Sequence, residues 1–108
     1  MSFETKAFNS IYASITIARC QIRIGRTVIA KALCAGIGKL RENTDEGQLG
    51  SIDANVRLLA TDEPDDEIKT GTVIEILQNG KTKWVKARVG GRFPVGGLTR
   101  LGLEAVNE

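Results

Sequence analysis

The chain has 108 residues, 15 of them basic and 13 acidic, so its net charge is only +2, and it contains no histidine. That length supports one domain, residues 1–108, with a core of modest stability that oligomerisation would strengthen. The charge balance excludes a chain whose main task is to coat nucleic acid, and the missing histidine removes the commonest general base and metal ligand together.

Residues 1–13 read as a short helix or an ordered arm. Phe8, Ile11, Tyr12 and Ile15 fit one helical face, while Ile11, Ala13, Ile15 and Ile17 also alternate as a strand would. The opening MSFETKAFNS has neither the charged segment nor the apolar run of an export signal. No stretch reaches the roughly 18 apolar residues of a membrane span, so an intracellular, soluble protein is expected. A first hairpin follows over 14–34. Ser14 to Ile24 and Thr27 to Cys34 alternate apolar and polar residues, and Gly25-Arg26 suits a two-residue turn with glycine at the first central position. This register sets Ile22 opposite Ile29. Cys20 and Cys34 then become small strand hydrophobes in a reducing compartment and not a disulfide framework.

Residues 35–55, AGIGKLRENTDEGQLGSIDAN, form a long polar, glycine-rich loop. So long a connection in a compact chain is usually functional, and its scattered Ile37, Leu40, Leu49 and Ile52, with Lys39 and Arg41 between them, suit ordering against a partner. The remaining strands occupy 56–105. Val56 to Ala60 places Val56, Leu58 and Ala60 on one side. The acidic turn TDEPDDEIKTG, with Asp62, Glu63, Asp65, Asp66 and Glu67 around Pro64, then leads to Thr72–Leu77, Asn79-Gly80 and Lys81–Val89. Asn-Gly between alternating runs signals a tight hairpin, which puts Ile74 opposite Val85 and Ile76 opposite Lys83. The opposite face would carry Val73, Glu75, Trp84, Lys86 and Arg88. After Gly90-Gly91 and Pro94, Leu98 to Ala105 directs Leu101, Leu103 and Ala105 to one side and Arg100 and Glu104 to the other. About six strands joined mostly by short turns predict an all-β fold, a small antiparallel barrel or sandwich.

Chemical motifs are scarce. The two cysteines lack neighbouring ligands, and GIGKL at 36–40 lacks both the spacing and the Ser/Thr of a phosphate loop. The acidic turn matches no known cation loop and is split by proline, so neither a metal nor a cofactor is expected, and no catalytic group is apparent. The basic strip is more informative. Trp84 among Lys86, Arg88 and Arg92 fits three readings: a solvated face, a stacking platform for single-stranded nucleic acid, or a protein interface. Five acids in one turn and several cations on one hairpin would let copies meet head to tail, closing into a ring. On that reading Trp84, Lys86, Arg88, Arg92 and the acids of 62–67 lie at subunit contacts.

The succession CQIRIGRTVIAKAL, long polar loop, NVRLLATDE, KTGTVIEI, tight turn and KWVKARV resembles the head-tail joining proteins of long-tailed bacteriophages. These are the head-completion or stopper proteins typified by the lambda head-tail attachment protein. The likeness spans about Cys20 to Ala105 and centres on the acidic turn, Lys69-Thr70-Gly71 and Trp84-Val85. It implies a virion structural protein, made in the bacterial cytoplasm and assembled as a hexameric or dodecameric ring in the neck. Its partners would be portal or adaptor proteins, tail-side proteins and, non-specifically, the packaged DNA. The loop at 35–55 would line the channel or touch the next ring. The glycine-rich RVGGRFPVGG and the N-terminal segment depart from the pattern, which keeps a tail-terminator or tail-completion ring as the alternative.

Overall fold

A computed structural model of the chain describes residues 2–37, 54–64 and 68–106. It begins with a helix, α1 (Phe3–Ser14), and a short 3-10 turn at Thr16–Ala18. Six strands follow: β1 (Arg19–Ile24), β2 (Thr27–Ala35), β3 (Asn55–Leu59), β4 (Val73–Gln78), β5 (Val85–Val95) and β6 (Leu98–Ala105). They close into a barrel in the order β1-β2-β3-β6-β5-β4, every pair antiparallel. The all-β expectation holds, and the barrel rather than the sandwich is the form adopted.

The N-terminal ambiguity resolves as helix. Ser2 caps it by accepting from the Thr5 amide at 3.1 Å, and Arg19 donates to the carbonyl of Tyr12 at 2.7 Å where the last turn leaves acceptors unpaired. Ile11 and Ile15 therefore belong to the helix and its exit, and β1 starts at Arg19, five residues later than the alternation suggests. α1 lies outside the barrel. Phe8 packs with Leu33 and Leu98 in a second small core, edged by Ile11, Tyr12 and Leu59. Lys31 fastens the same helix, donating to Asn9 at 3.1 Å and lying 5.2 Å from the Tyr12 ring.

The first hairpin matches expectation. Ile22 faces Ile29, and Gly25 has φ +61° while Arg26 does not take the left-handed region, as a turn with glycine first requires. A bulge between Cys20 and Ile22 places an extra residue on β2. It carries Ile29 on one side and Ala32 and Cys34 on the other to the same inner face, which strict alternation would forbid. Ala60 departs from its expected place: it opens a 3-10 turn, Ala60–Asp62, and is exposed.

The central hairpin is two residues out of its expected register. Ile74 pairs with Ala87 and Ile76 with Val85. Gly80 has φ +85° but Asn79 does not take positive φ, and the Lys81 amide bonds to the Gln78 carbonyl at 3.0 Å. That is a type II-like turn, whose twist does not fold the strands straight onto each other. Asn79 is also held by β1, its amide donating to Arg19 at 2.9 Å. Pairing with β5 resumes only at Val85. Because the slip is an even number, the inner set of Ile74, Ile76, Ala87 and Val89 is preserved.

β5 runs through the glycines and Pro94 to Val95, and turns at Gly96-Gly97 into β6. Pro94 is tolerated because β4 pairs only with Val85 to Arg88, so the far half of β5 has one free edge. Residues 60–64 and 68–72 pack against this end of the barrel. Ala60 bonds to Gly97, Gly71 bonds to Val89 at 2.7 Å, and Ile68 is buried in the main core. Ile37 and Ala54, flanking the long loop, are buried in the same core. Ile37 is thus a barrel residue and not part of a partner-seeking loop, because its side chain is already covered by its own chain.

Candidate functional site

On the outer face of β1, β4 and β5 the register brings together residues distant in sequence. Arg23 lies opposite Glu75, and Glu75 opposite Lys86. Arg23 donates from Nε to Glu75 Oε1 at 2.8 Å, and its guanidinium sits 4.2 Å from the Trp84 ring centre. Trp84 is half-buried, so its place among cations is as expected, but the cation covering it is Arg23, which the hairpin reading alone does not supply. Exposed Val28 and Val73 flank this group, and Lys86 and Arg88 project from the same face.

The hydrogen bond from Arg23 holds the Glu75 carboxyl below the ordinary glutamate range, with the charges of Arg23 and Lys86 adding to it and slight burial opposing. Since the folded value is the lower one, the pair's stabilisation is complete at neutral pH and lost as the pH falls through the folded value. Both side chains are about a third exposed, which keeps the contribution small. An NMR titration should show a depressed Glu75 midpoint that returns to the ordinary range in Arg23→Met. An unchanged midpoint in that variant would count against the assignment.

Glu63 and Arg92, expected at contacts between copies, meet within one chain. Arg92 Nη2 lies 2.9 and 3.0 Å from the two Glu63 oxygens, and the buried Thr99 hydroxyl donates to the same carboxylate. The cause is a second bulge. Between Val89 and Gly91, β5 gains a residue relative to β6, so Arg92 comes opposite Leu101 on the inner side and Phe93 opposite Arg100 on the outer. Asp62 is exposed in the neighbouring 3-10 turn. Asp65, Asp66, Glu67, Lys39, Leu40, Arg41, Leu49 and Ile52 lie outside the described residues.

Inside the barrel, Cys20 and Cys34 are free, buried thiols. Their mutual hydrogen bond, reinforced by burial, pushes the Cys20 thiol up, and Gln78 Nε2 lies 3.9 Å from the Cys34 sulfur. Their burial is that of packing residues, as the strand assignment predicts.

The sequence reading missed a groove of about 340 Å³ on the outer face of β5 and β6. Its floor is backbone, since Gly90, Gly91 and Gly102 come together there. The Phe93 ring lies over Gly91 and Gly102: a Cβ at Gly91 would stand 2.8 Å from Phe93 Cζ, and one at Gly102 3.8 Å from Cε2. Phe93 nonetheless remains 53 % exposed. Arg100 and Glu104 form the rims. Clustered glycines beside a phenylalanine in RVGGRFPVGG are the signal, but only a register that sets Gly91 against Gly102 turns them into one surface.

Comparison with models of known protein families, with curated proteins and with solved structures gives no match. Among the described residues no helix is long and apolar enough to cross a membrane.

Proposed function

We propose that this chain is a non-enzymatic structural subunit that assembles as a ring in the head-to-tail connector of a tailed bacteriophage, closing the filled head and docking the tail. The observation that carries the self-association is the outer face of β1, β4 and β5. A closed barrel offers few free strand edges for pairing, so copies must meet through faces and loops. On this face Trp84 is held by Arg23, Arg23 by Glu75, and Val28 and Val73 are exposed alongside. A pre-ordered tryptophan and arginine beside apolar side chains are the residue types that dominate interface energy. Lys86 and Arg88 supply positive charge there, and Asp62 is exposed in the 3-10 turn after β3, so two different surfaces carry opposite charge as a ring contact demands. The phage setting rests on the order of strands, acidic turn and Trp84-Val85, and its partners are the portal or adaptor below and tail-side proteins above.

Electron microscopy of the purified chain should show rings. Arg88 is exposed, so Arg88→Glu should weaken ring formation while leaving the thermal transition in place. Added salt should slow assembly more than it destabilises the fold. A wild-type sample that stays monomeric at every concentration, or an Arg88→Glu sample that assembles normally, would remove this reading.

A further inference from the structure

We propose that the glycine-floored groove on β5 and β6 binds single-stranded nucleic acid, with Phe93 as the stacking platform and Arg57 and Arg100 as the phosphate contacts. This goes beyond the ring reading and does not depend on it. Arg57 on β3 lies directly opposite Arg100 on β6, and Arg100 directly opposite Phe93 on β5. Val56 and Leu58 on either side of Arg57 are buried inside the barrel, so Arg57 leaves by the same outer face as Arg100. Two like charges in directly opposed positions of a sheet destabilise it, and among the described residues neither arginine has a carboxylate partner. An anion between them removes that cost.

The neighbouring groove says which kind of anion. It is at the small end of ligand-site volumes, which suits one nucleotide unit. Backbone forms its floor, which lets the Phe93 ring itself lie close to the sheet. Phe93 packs its ring against Gly91 and Gly102 with Cζ and Cε2 nearest and remains half-exposed, offering its open side to a base. Glu104, the acid of the rim, lies over Gly90 and can accept from amino groups of a base edge, as it does not from a phosphate. A carboxylate-bearing protein partner would satisfy the arginines but would leave the open side of Phe93 and Glu104 without a role. Trp84 is the less suitable platform, because Arg23 already covers a face of it.

The test is fluorescence anisotropy of the full chain with a labelled single-stranded oligonucleotide of about 10 nucleotides at low and moderate salt. Binding should weaken about tenfold or more in Phe93→Ala. In Arg57→Ala and in Arg100→Ala it should weaken with a salt slope shallower by about 1 each. Trp84→Ala should leave it unchanged. Circular dichroism checks the folds, and the exposed Arg100→Ala keeps the test valid if Phe93→Ala is destabilised. No binding by the wild type at low salt, or loss in Trp84→Ala with none in Phe93→Ala or Arg100→Ala, overturns the proposal. So does an Arg100→Ala variant whose only change is in oligomeric state, which would assign the surface to a protein partner. Ring formation is scored on oligonucleotide-free samples, so rings without oligonucleotide binding sink this site alone, and binding without rings sinks the connector reading alone.

Discussion

Replacing Leu58 with alanine is expected to lower the free energy of unfolding by about 4 kcal/mol, near the top of the range for such truncations. Leu58 is 0 % exposed on the inward face of β3. Its cross-strand neighbours are Ala32 on β2 and Thr99 on β6, so the leucine fills space that neither neighbour can reach. The variant would carry three small side chains in one row. Collapse around the gap is resisted because the backbone ring is closed through six strand pairs and cannot tighten at one of them alone. A loss of this size is a large part of the roughly 5–15 kcal/mol that holds a domain together. Urea denaturation followed by the fluorescence of Trp84, the single tryptophan, measures it. The midpoint should fall with little change in slope. Val95→Ala, at an exposed site on β5, serves as the comparison and should stay within about 0.5 kcal/mol. A Leu58→Ala loss below about 1.5 kcal/mol would show that the barrel can repack, and that its closure is looser than the register implies.

The inner surface of the barrel was largely legible because it depends on parity. Ile22, Val56, Leu58, Ile74, Ile76, Ala87, Leu101 and Leu103 are buried as period-two alternation demands. Even the wrong register at Asn79-Gly80 left those residues inside, since a slip of two preserves the face. Alternation fails at bulges, where one strand gains a residue that its own sequence does not announce. The bulge on β2 hid the turn of Lys31 toward α1, and the one beside Gly90 hid Arg92 and Phe93 exchanging sides. A bulge is a property of two strands together, so it is not to be read from either alone.

The candidate surfaces suffered from the same cause. Trp84 among cations was readable from one hairpin, but its actual partner, Arg23, sits 61 positions away on the strand that closes the barrel. Taken from β3 alone, Arg57 is an ordinary outward residue of a short strand. It acquires meaning only when β3 pairs with β6 and Arg100 comes opposite. Opposite charges segregated along the chain suggested contacts between copies, yet the fold uses one pair of them, Glu63 and Arg92, for itself.

That pair gives the second large effect. Glu63→Leu is expected to cost about 2–3 kcal/mol, because it leaves the Arg92 cation and the buried Thr99 hydroxyl at the barrel end without the carboxylate they both donate to. The Glu63 side chain is 8 % exposed and that of Arg92 25 %, so water screens the Arg92 charge in part and the loss stays below that of a fully buried pair. The double variant Glu63→Leu/Arg92→Met should recover much of the stability, since two apolar groups of similar volume leave no charge to solvate. Thr99→Val, which removes one donor and keeps the shape, should cost about 1 kcal/mol. The double-mutant cycle then yields a coupling between Glu63 and Arg92. If the two residues instead met across copies, that coupling would grow with protein concentration, because association energy enters apparent stability by mass action. A coupling that is unchanged over about a tenfold range of concentration is the expected result, and it fixes Glu63 and Arg92 as the latch of a single barrel.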